Sequence, residues 1–191
     1  MRIIAGEARG RRIEAPEGKN TRPTLDRVRE NLFNILQMKT RGARVLDLFA
    51  GSGALSFEAI SRGAEKAVLC DTDRDANRTE RRNAENLGFS GRTEILLCDW
   101  KKACGLLAVR GEKFDLVFLD PPYRMTDLRE VAEAVDGLLA EDGLVILEHE
   151  AKQEVSFGMG FEKTDERKWG FCGMSFYRRR AEAPAETEEN E

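Results

Sequence analysis

From residue 44 onward, short continuous apolar runs alternate with polar, helix-periodic stretches, and this pattern constrains the fold most. Val45–Phe49, Ala67–Cys70, Thr93–Leu97, Phe114–Leu119 and Leu144–Leu147 read as strands. Residues 54–63, 74–87, 101–109 and 126–140 read as the helices between them. Gly88 closes the second helix as a left-handed C-terminal cap. The last rests on Leu128, Val131, Ala132, Val135, Leu138 and Leu139 at helical spacing. Strands that are apolar throughout need cover on both faces, which predicts a mostly parallel sheet. The fold class is therefore α/β, doubly wound and Rossmann-like. Phe161–Lys168 and Phe171–Tyr177 add an antiparallel pair at the C-terminal end. A ligand on such a sheet lies beyond the carboxyl ends of the strands, where strand order reverses.

The front end has a different character. Arg2–Ala5 and Arg11–Ala15 can pair as a hairpin across Gly6–Gly10. Residues 16–23, with two prolines and a glycine, read as a loop. Thr24 suits an N-cap, with Asp26 in the first turn of a helix whose apolar side is Leu25, Val28, Leu32, Ile35 and Leu36. Arg27, Arg29 and Glu30 fall largely away from that stripe. Three parts are thus expected: a basic extension over 1–44, an α/β domain over 45–180, and an acidic tail over 181–191.

The formal net charge of −4 looks wrong for a partner of nucleic acid. Its distribution does not. Residues 1–44 carry 11 Lys and Arg against 5 Asp and Glu, a net of +6. Residues 45–180 carry −5, and the tail carries five Glu and no basic residue. A tail of that composition buries too little apolar surface to order itself. With 41% hydrophobic residues, the remainder can bury a sizeable core.

The four cysteines (Cys70, Cys98, Cys104 and Cys172) form no C-x-x-C pair, and His149 is the one histidine. A cysteine-rich zinc site is not expected. His149 follows a buried strand and reads first as a structural residue, which removes His-dependent hydrolases. No apolar run reaches membrane-span length and no signal peptide opens the chain, so a cytoplasmic protein with reduced thiols is expected.

Three constellations carry chemistry. The first is Asp47-Leu48-Phe49-Ala50-Gly51-Ser52-Gly53, at a strand-to-helix turn. Glycines there let a ligand approach the backbone. The third glycine of a dinucleotide fingerprint is replaced by Ser56, and Asp47 suits a cationic ligand better than a diphosphate. The second is Asp71, which ends the second strand beside Thr72 and can accept both hydroxyls of a ribose. Asp73 suits the cap of the next helix. Asp99 can accept from an exocyclic amine with Trp100 as an apolar wall, or serve as a helix cap. The third is Asp120-Pro121-Pro122-Tyr123. Prolines lack an N–H, so the Asp120 and Pro121 carbonyls are presented without local donors. With the Asp120 carboxylate and the Tyr123 ring, they suit a planar base bearing an NH₂ group.

Together these residues resemble the class I S-adenosylmethionine-dependent amino-methyltransferases. The opening is similar to the bacterial 16S ribosomal RNA guanine-N2 methyltransferases. The matching residues are Arg2-Ile3-Ile4-Ala5-Gly6, Arg9-Gly10-Arg11, Arg22-Pro23-Thr24, Asp26-Arg27-Val28-Arg29-Glu30 and Leu32-Phe33-Asn34. The resemblance runs to about residue 180. It implies methyl transfer from S-adenosylmethionine, leaving S-adenosylhomocysteine, to N2 of one guanine in 16S ribosomal RNA of the small ribosomal subunit. It requires no metal. Asp120, Pro121, Pro122 and Tyr123 are then the catalytic set. Asp47, Phe49, Ala50, Gly51, Ser52, Gly53, Asp71, Thr72, Asp99, Trp100 and Thr24 border the cofactor. Arg9, Arg11, Arg12, Arg22, Arg27 and Arg29 are expected on RNA phosphates, and the protein is expected to act as a monomer. The alternatives are a DNA adenine-N6 or cytosine-N4 methyltransferase, a protein glutamine methyltransferase, and a ribosome-assembly factor with a vestigial site.

Overall fold

The computed structural model of the chain describes residues 1–16 and 23–181. Arg22 and all but the first residue of the acidic tail lie outside the described residues. The strands are β1 (Arg44–Asp47), β2 (Lys66–Asp71), β3 (Thr93–Leu97), β4 (Phe114–Leu119), β5 (Leu139–Glu150), β6 (Phe161–Trp169) and β7 (Cys172–Arg179). The helices are α1 (Pro23–Ile35), α2 (Gln37–Thr40), α3 (Ala54–Ser61), α4 (Arg74–Leu87), α5 (Trp100–Val109) and α6 (Arg129–Asp136). The strands form one sheet in the order β3-β2-β1-β4-β5-β7-β6. The first five pair in parallel. β7 runs antiparallel to both β5 and β6. Strand order reverses at β1, which lies between β2 and β4, and the glycine turn leaves the sheet there.

Successive residues of each central strand enter opposite cores, as continuous apolar strands require. Val45, Leu69, Phe118 and Ile146 face one side; Leu46, Val68, Val117 and Leu147 face the other, against α5 and α6. The first core is completed by the front end, through Ile3, Ile13, Val28, Leu32, Phe33 and Leu36. The change of composition near residue 44 therefore marks no break in packing.

Several expectations are corrected. The helix over 126–140 contracts to α6. The Asp127 carboxylate accepts from the Arg129 amide at 3.2 Å, and the Leu128 amide donates to Ser156 at 2.9 Å, which hold the preceding segment in a turn. Leu139 belongs instead to β5, opposite Phe114, with a register shift before Leu116. Helix-spaced leucines met an unpaired strand edge, and pairing decided the outcome. α1 starts at Pro23, one residue before Thr24, because proline fixes a helical φ and lacks the N–H that a first turn leaves unpaired. On α1, Phe33 rather than Ile35 is buried, with its ring centroid 6.0 Å from that of Phe118. The N-terminal hairpin contracts to a single Arg2–Arg12 bridge, flanked by backbone bonds such as Ile3 to Arg11 at 2.9 Å.

That front end is fastened to α3. Glu58 is fully buried, and its carboxylate accepts from the Ile4 and Ala5 amides at 2.8 and 3.1 Å. Ser61 Oγ accepts from the Ala8 amide at 3.0 Å and donates to the Ala5 carbonyl at 2.6 Å. No helix among the described residues is long and apolar enough to cross a membrane.

Candidate active site

A cavity of about 710 Å³ opens at the carboxyl ends of β1, β2, β4 and β5. It is within the size range of small-molecule sites. Phe49, Ala50, Gly51 and Ser52 line it from the turn after β1, and Asp71 and Thr72 from the end of β2. Asp120, Pro121, Pro122 and Tyr123 line it from the end of β4. Residues 73 apart in sequence (Asp47 to Asp120) meet there because β1 and β4 are paired neighbours, with Asp47 opposite Phe118.

The glycine turn is built for close approach. Gly51 has a φ of +58°, and a Cβ there would meet nothing within 4 Å, so the space before it is open to a ligand. Gly53, at a φ of +76°, faces the opposite demand: a Cβ would sit 2.4 Å from the Phe57 ring. The turn is held to β2 by the Gly51 amide, which donates to Asp71 Oδ2 at 2.9 Å. Asp71 Oδ1 accepts from the Asp73 amide at 2.9 Å. Each carboxylate oxygen keeps a second lone pair, so Asp71 can still accept a vicinal diol. These features fit a nucleoside carrying a cationic chain.

Asp47 lies under the turn, 2% exposed, and accepts from the Ser56 hydroxyl at 2.9 Å. Burial pushes its carboxyl up to about 7; the Ser56 bond opposes the rise and nearby Asp71 adds to it. Asp120 and Tyr123 are exposed to the cavity mouth, Tyr123 by 51%. Burial also raises the Tyr123 phenol to about 12, with Glu148 and Asp120 adding to the rise. The ring is therefore neutral, with an accessible face.

Several expected residues fall elsewhere. Asp99 caps α5, accepting from the Lys102 amide at 2.9 Å, and does not line this cavity. Trp100 lines a separate depression with Met125 and Arg129. A strand-end aspartate satisfies a helix cap as readily as a ligand, and here the cap prevailed. Gly53 supports the turn from behind. The side chain of Thr24 lies outside the described residues. His149 is buried in β5, its ring nitrogens 2.9 Å from the Glu150 carbonyl and the Ser175 hydroxyl, in line with the structural reading.

The arginines divide. Arg9, Arg12 and Arg27 are exposed. Arg11 is exposed too, but its guanidinium donates to the Leu87 and Asn86 carbonyls at the C-terminal end of α4. Arg29 does not join the basic surface. It is 4% exposed, pairs with Asp26 at 3.0 Å and lies 3.7 Å from Glu58, and it borders the cavity. The apolar stripe of α1 is wide enough to take its aliphatic stem inward.

Sequence reasoning missed Glu148 and Met174, which line the cavity from β5 and β7. No local motif marks them; only strand pairing brings them to Asp120. Asn83 was also missed. Its amide joins Glu14 and the Ser52 carbonyl at 3.0 Å, tying the front end to the glycine turn.

Comparison with known proteins agrees with this geometry. The family model described as "Conserved hypothetical protein 95" matches residues 1–178. The chain belongs to this family. It is similar to the Bacillus subtilis protein named "Putative rRNA methyltransferase YlbH", at 36% identity over 94% of this chain and 100% of that one. It is 39% identical to ribosomal RNA small subunit methyltransferase D of Escherichia coli over 80% of this chain and 76% of that one. Among solved structures, "Putative methyltransferase yhhF" of Escherichia coli superposes with a TM-score of 0.79 at 36% identity. That match covers 95% of this chain and 99% of the other. The fold is that of the class I methyltransferases, mostly parallel with antiparallel C-terminal strands.

Proposed function

We propose that the chain transfers the methyl group of S-adenosylmethionine to the exocyclic N2 of a guanine in 16S ribosomal RNA of the small subunit. One observation carries this reading. Asp120-Pro121-Pro122-Tyr123, suited to a planar amine, faces the same cavity as the glycine turn and Asp71, suited to a nucleoside cofactor. Family relatives named as ribosomal RNA methyltransferases support it further.

S-adenosylmethionine would supply a methyl group on a sulfonium, and the neutral thioether left when the S–C bond breaks, S-adenosylhomocysteine, departs without acid assistance. Asp71 would accept the ribose hydroxyls, and the backbone of Ala50–Ser52, which lines the same cavity, would border the methionine portion. The remaining task is to hold and activate a poor nucleophile, because the guanine N2 lone pair is delocalised into the ring. The Asp120 carboxylate and Pro121 carbonyl accept the two amine hydrogens. They favour a pyramidal nitrogen and stabilise the positive charge that develops as the N–C bond forms. Alignment of the amine with the methyl carbon supplies much of the acceleration. The proton then passes from N2 to Asp120 or to water. Tyr123 stacks on the base and compensates for the stacking it gives up on leaving the RNA. Arg9, Arg12 and Arg27 hold phosphates, and the protein acts as a monomer.

Asp120→Ala tests the assignment. Its rate of methyl transfer should fall at least about 100-fold, while S-adenosylhomocysteine affinity, measured by calorimetry, stays close to wild type. A variant that methylates RNA at the wild-type rate would remove Asp120 from the site.

A further inference from the structure

Glu148 is a carboxylate in the cavity for which the methyl-transfer scheme has so far no use. β4 and β5 are parallel neighbours, with Leu119 opposite Leu147. Asp120 follows directly on β4 and Glu148 follows Leu147 in β5, so the two lie side by side just beyond the paired register, at the carboxyl end of β4 and on the same face. Adjacent strands run about 4.8 Å apart. Both residues line the cavity, with Tyr123 and Met174. Met174 is the partner of Glu148 on β7. Glu148 is partly buried near Cys172, and burial raises its carboxyl above the usual carboxylate range. Its charge is close enough to raise the Tyr123 phenol.

We infer that Glu148 selects the base: its carboxylate accepts the N1–H of the target guanine while Asp120 and the Pro121 carbonyl take the N2 amine. Guanine presents N1–H and N2–H₂ side by side on one edge. Two acceptors on adjacent strands match that pair of donors. Adenine presents an unprotonated N1 beside its amine, so its lone pair would meet the Glu148 carboxylate. The same geometry thus accepts guanine and rejects adenine, although both carry an exocyclic NH₂. Sites built around a buried hydrogen-bond partner reject analogues that lack the matching group strongly. The inference rests on the guanine-N2 reading above.

The test uses RNA fragments carrying guanosine or 2,6-diaminopurine riboside at the target position. Both bases carry the 2-amine, but diaminopurine has an acceptor at N1. Methyl transfer is measured as kcat/KM, and the modified nucleoside is identified by mass together with chromatography against the isomeric methylguanosine standards. The wild-type protein should prefer guanine by at least about 100-fold. Glu148→Gln keeps an oxygen that can accept guanine N1–H and gains an amide that can donate to N1 of diaminopurine, so it should raise diaminopurine activity and bring the two substrates within about tenfold. Glu148→Asp should fall between. Affinity for S-adenosylhomocysteine should be unchanged in both variants, which separates base selection from damage to the fold. If a variant fails to bind it, the wild-type ratio alone decides. A wild-type ratio near one, or a Glu148→Gln ratio equal to wild type, overturns the inference while N2-methylguanosine remains the product. A product other than N2-methylguanosine overturns the guanine reading and this inference together.

Discussion

Gly6 sits where the front end crosses the end of α3. Its φ is +85°, and a Cβ there would lie 1.8 Å from the Ser61 carbonyl oxygen. Both facts demand glycine, for independent reasons. Gly6→Ala should lower stability by about 2–4 kcal/mol, read from denaturant unfolding. It should also loosen the Glu7 amide from Ser61 and so weaken RNA binding more than cofactor binding. At this scale the sequence was legible where chemistry is local. Asp73 caps α4 by accepting from the Asp75 amide, and Gly88 ends that helix at a φ of +76°, both as read from sequence. Asp120–Tyr123 lies at the cavity, as its residue types suggested. Arg29 was misplaced, and Asp99 was left open between ligand and cap, because a guanidinium or carboxylate has a second use, as a buried ion pair or a cap, that spacing cannot distinguish.

Among the elements, α4 holds an unusual carboxyl. Glu80 is fully buried, and neither oxygen has a hydrogen-bond partner. Burial raises its carboxyl to about 8, and Asp47 and Asp71 push in the same direction. Asp47 itself is raised to about 7. In the unfolded chain both groups ionise near their ordinary values. Between about pH 4.5 and 8 the folded chain therefore binds more protons than the unfolded one. Their contribution to stability is present at the low end of that window and is lost as pH rises through 7 and 8. Glu80→Gln should raise stability at pH 8 by on the order of 2 kcal/mol and flatten its decline between pH 5.5 and 8.5. Equilibrium unfolding across that range checks it; a variant with the wild-type slope would contradict it. Nothing in the sequence of α4 flags Glu80, because the segment is polar on most sides and the burial of that side follows from its packing against β2 and β3. The same limit explains α6 and β5. The apolar positions were identified, but the choice of helix or strand at Leu139 was made by Phe114 on a different strand.

The molecule as a whole carries its charge in separate parts, with the basic residues concentrated in the front end. Neutralising Arg9, Arg12 and Arg27 should weaken RNA binding and reduce the salt slope by about 0.7 for each single-strand phosphate that is no longer neutralised. Arg29→Gln should instead destabilise the fold, since it leaves Asp26 without its cation and removes one of the two beside buried Glu58, where Arg62 remains at 2.7 Å. Removing residues 181–191 should leave RNA affinity unchanged or raise it. The doubly wound architecture was legible because five apolar strands alternate with helices, whereas the merging of the front end into one core was not. It depends on Glu58, Ser61 and Asn83, polar residues whose partners lie more than 50 positions away. The central claim is the identity of the atom that receives the methyl group. The direct measurement is transfer of a tritiated methyl group from S-adenosylmethionine to undermethylated small subunits, naked 16S ribosomal RNA and DNA, followed by nucleoside analysis. Label in N2-methylguanosine from the small subunit or its RNA is the predicted result; label in N6-methyladenine from DNA would contradict the account.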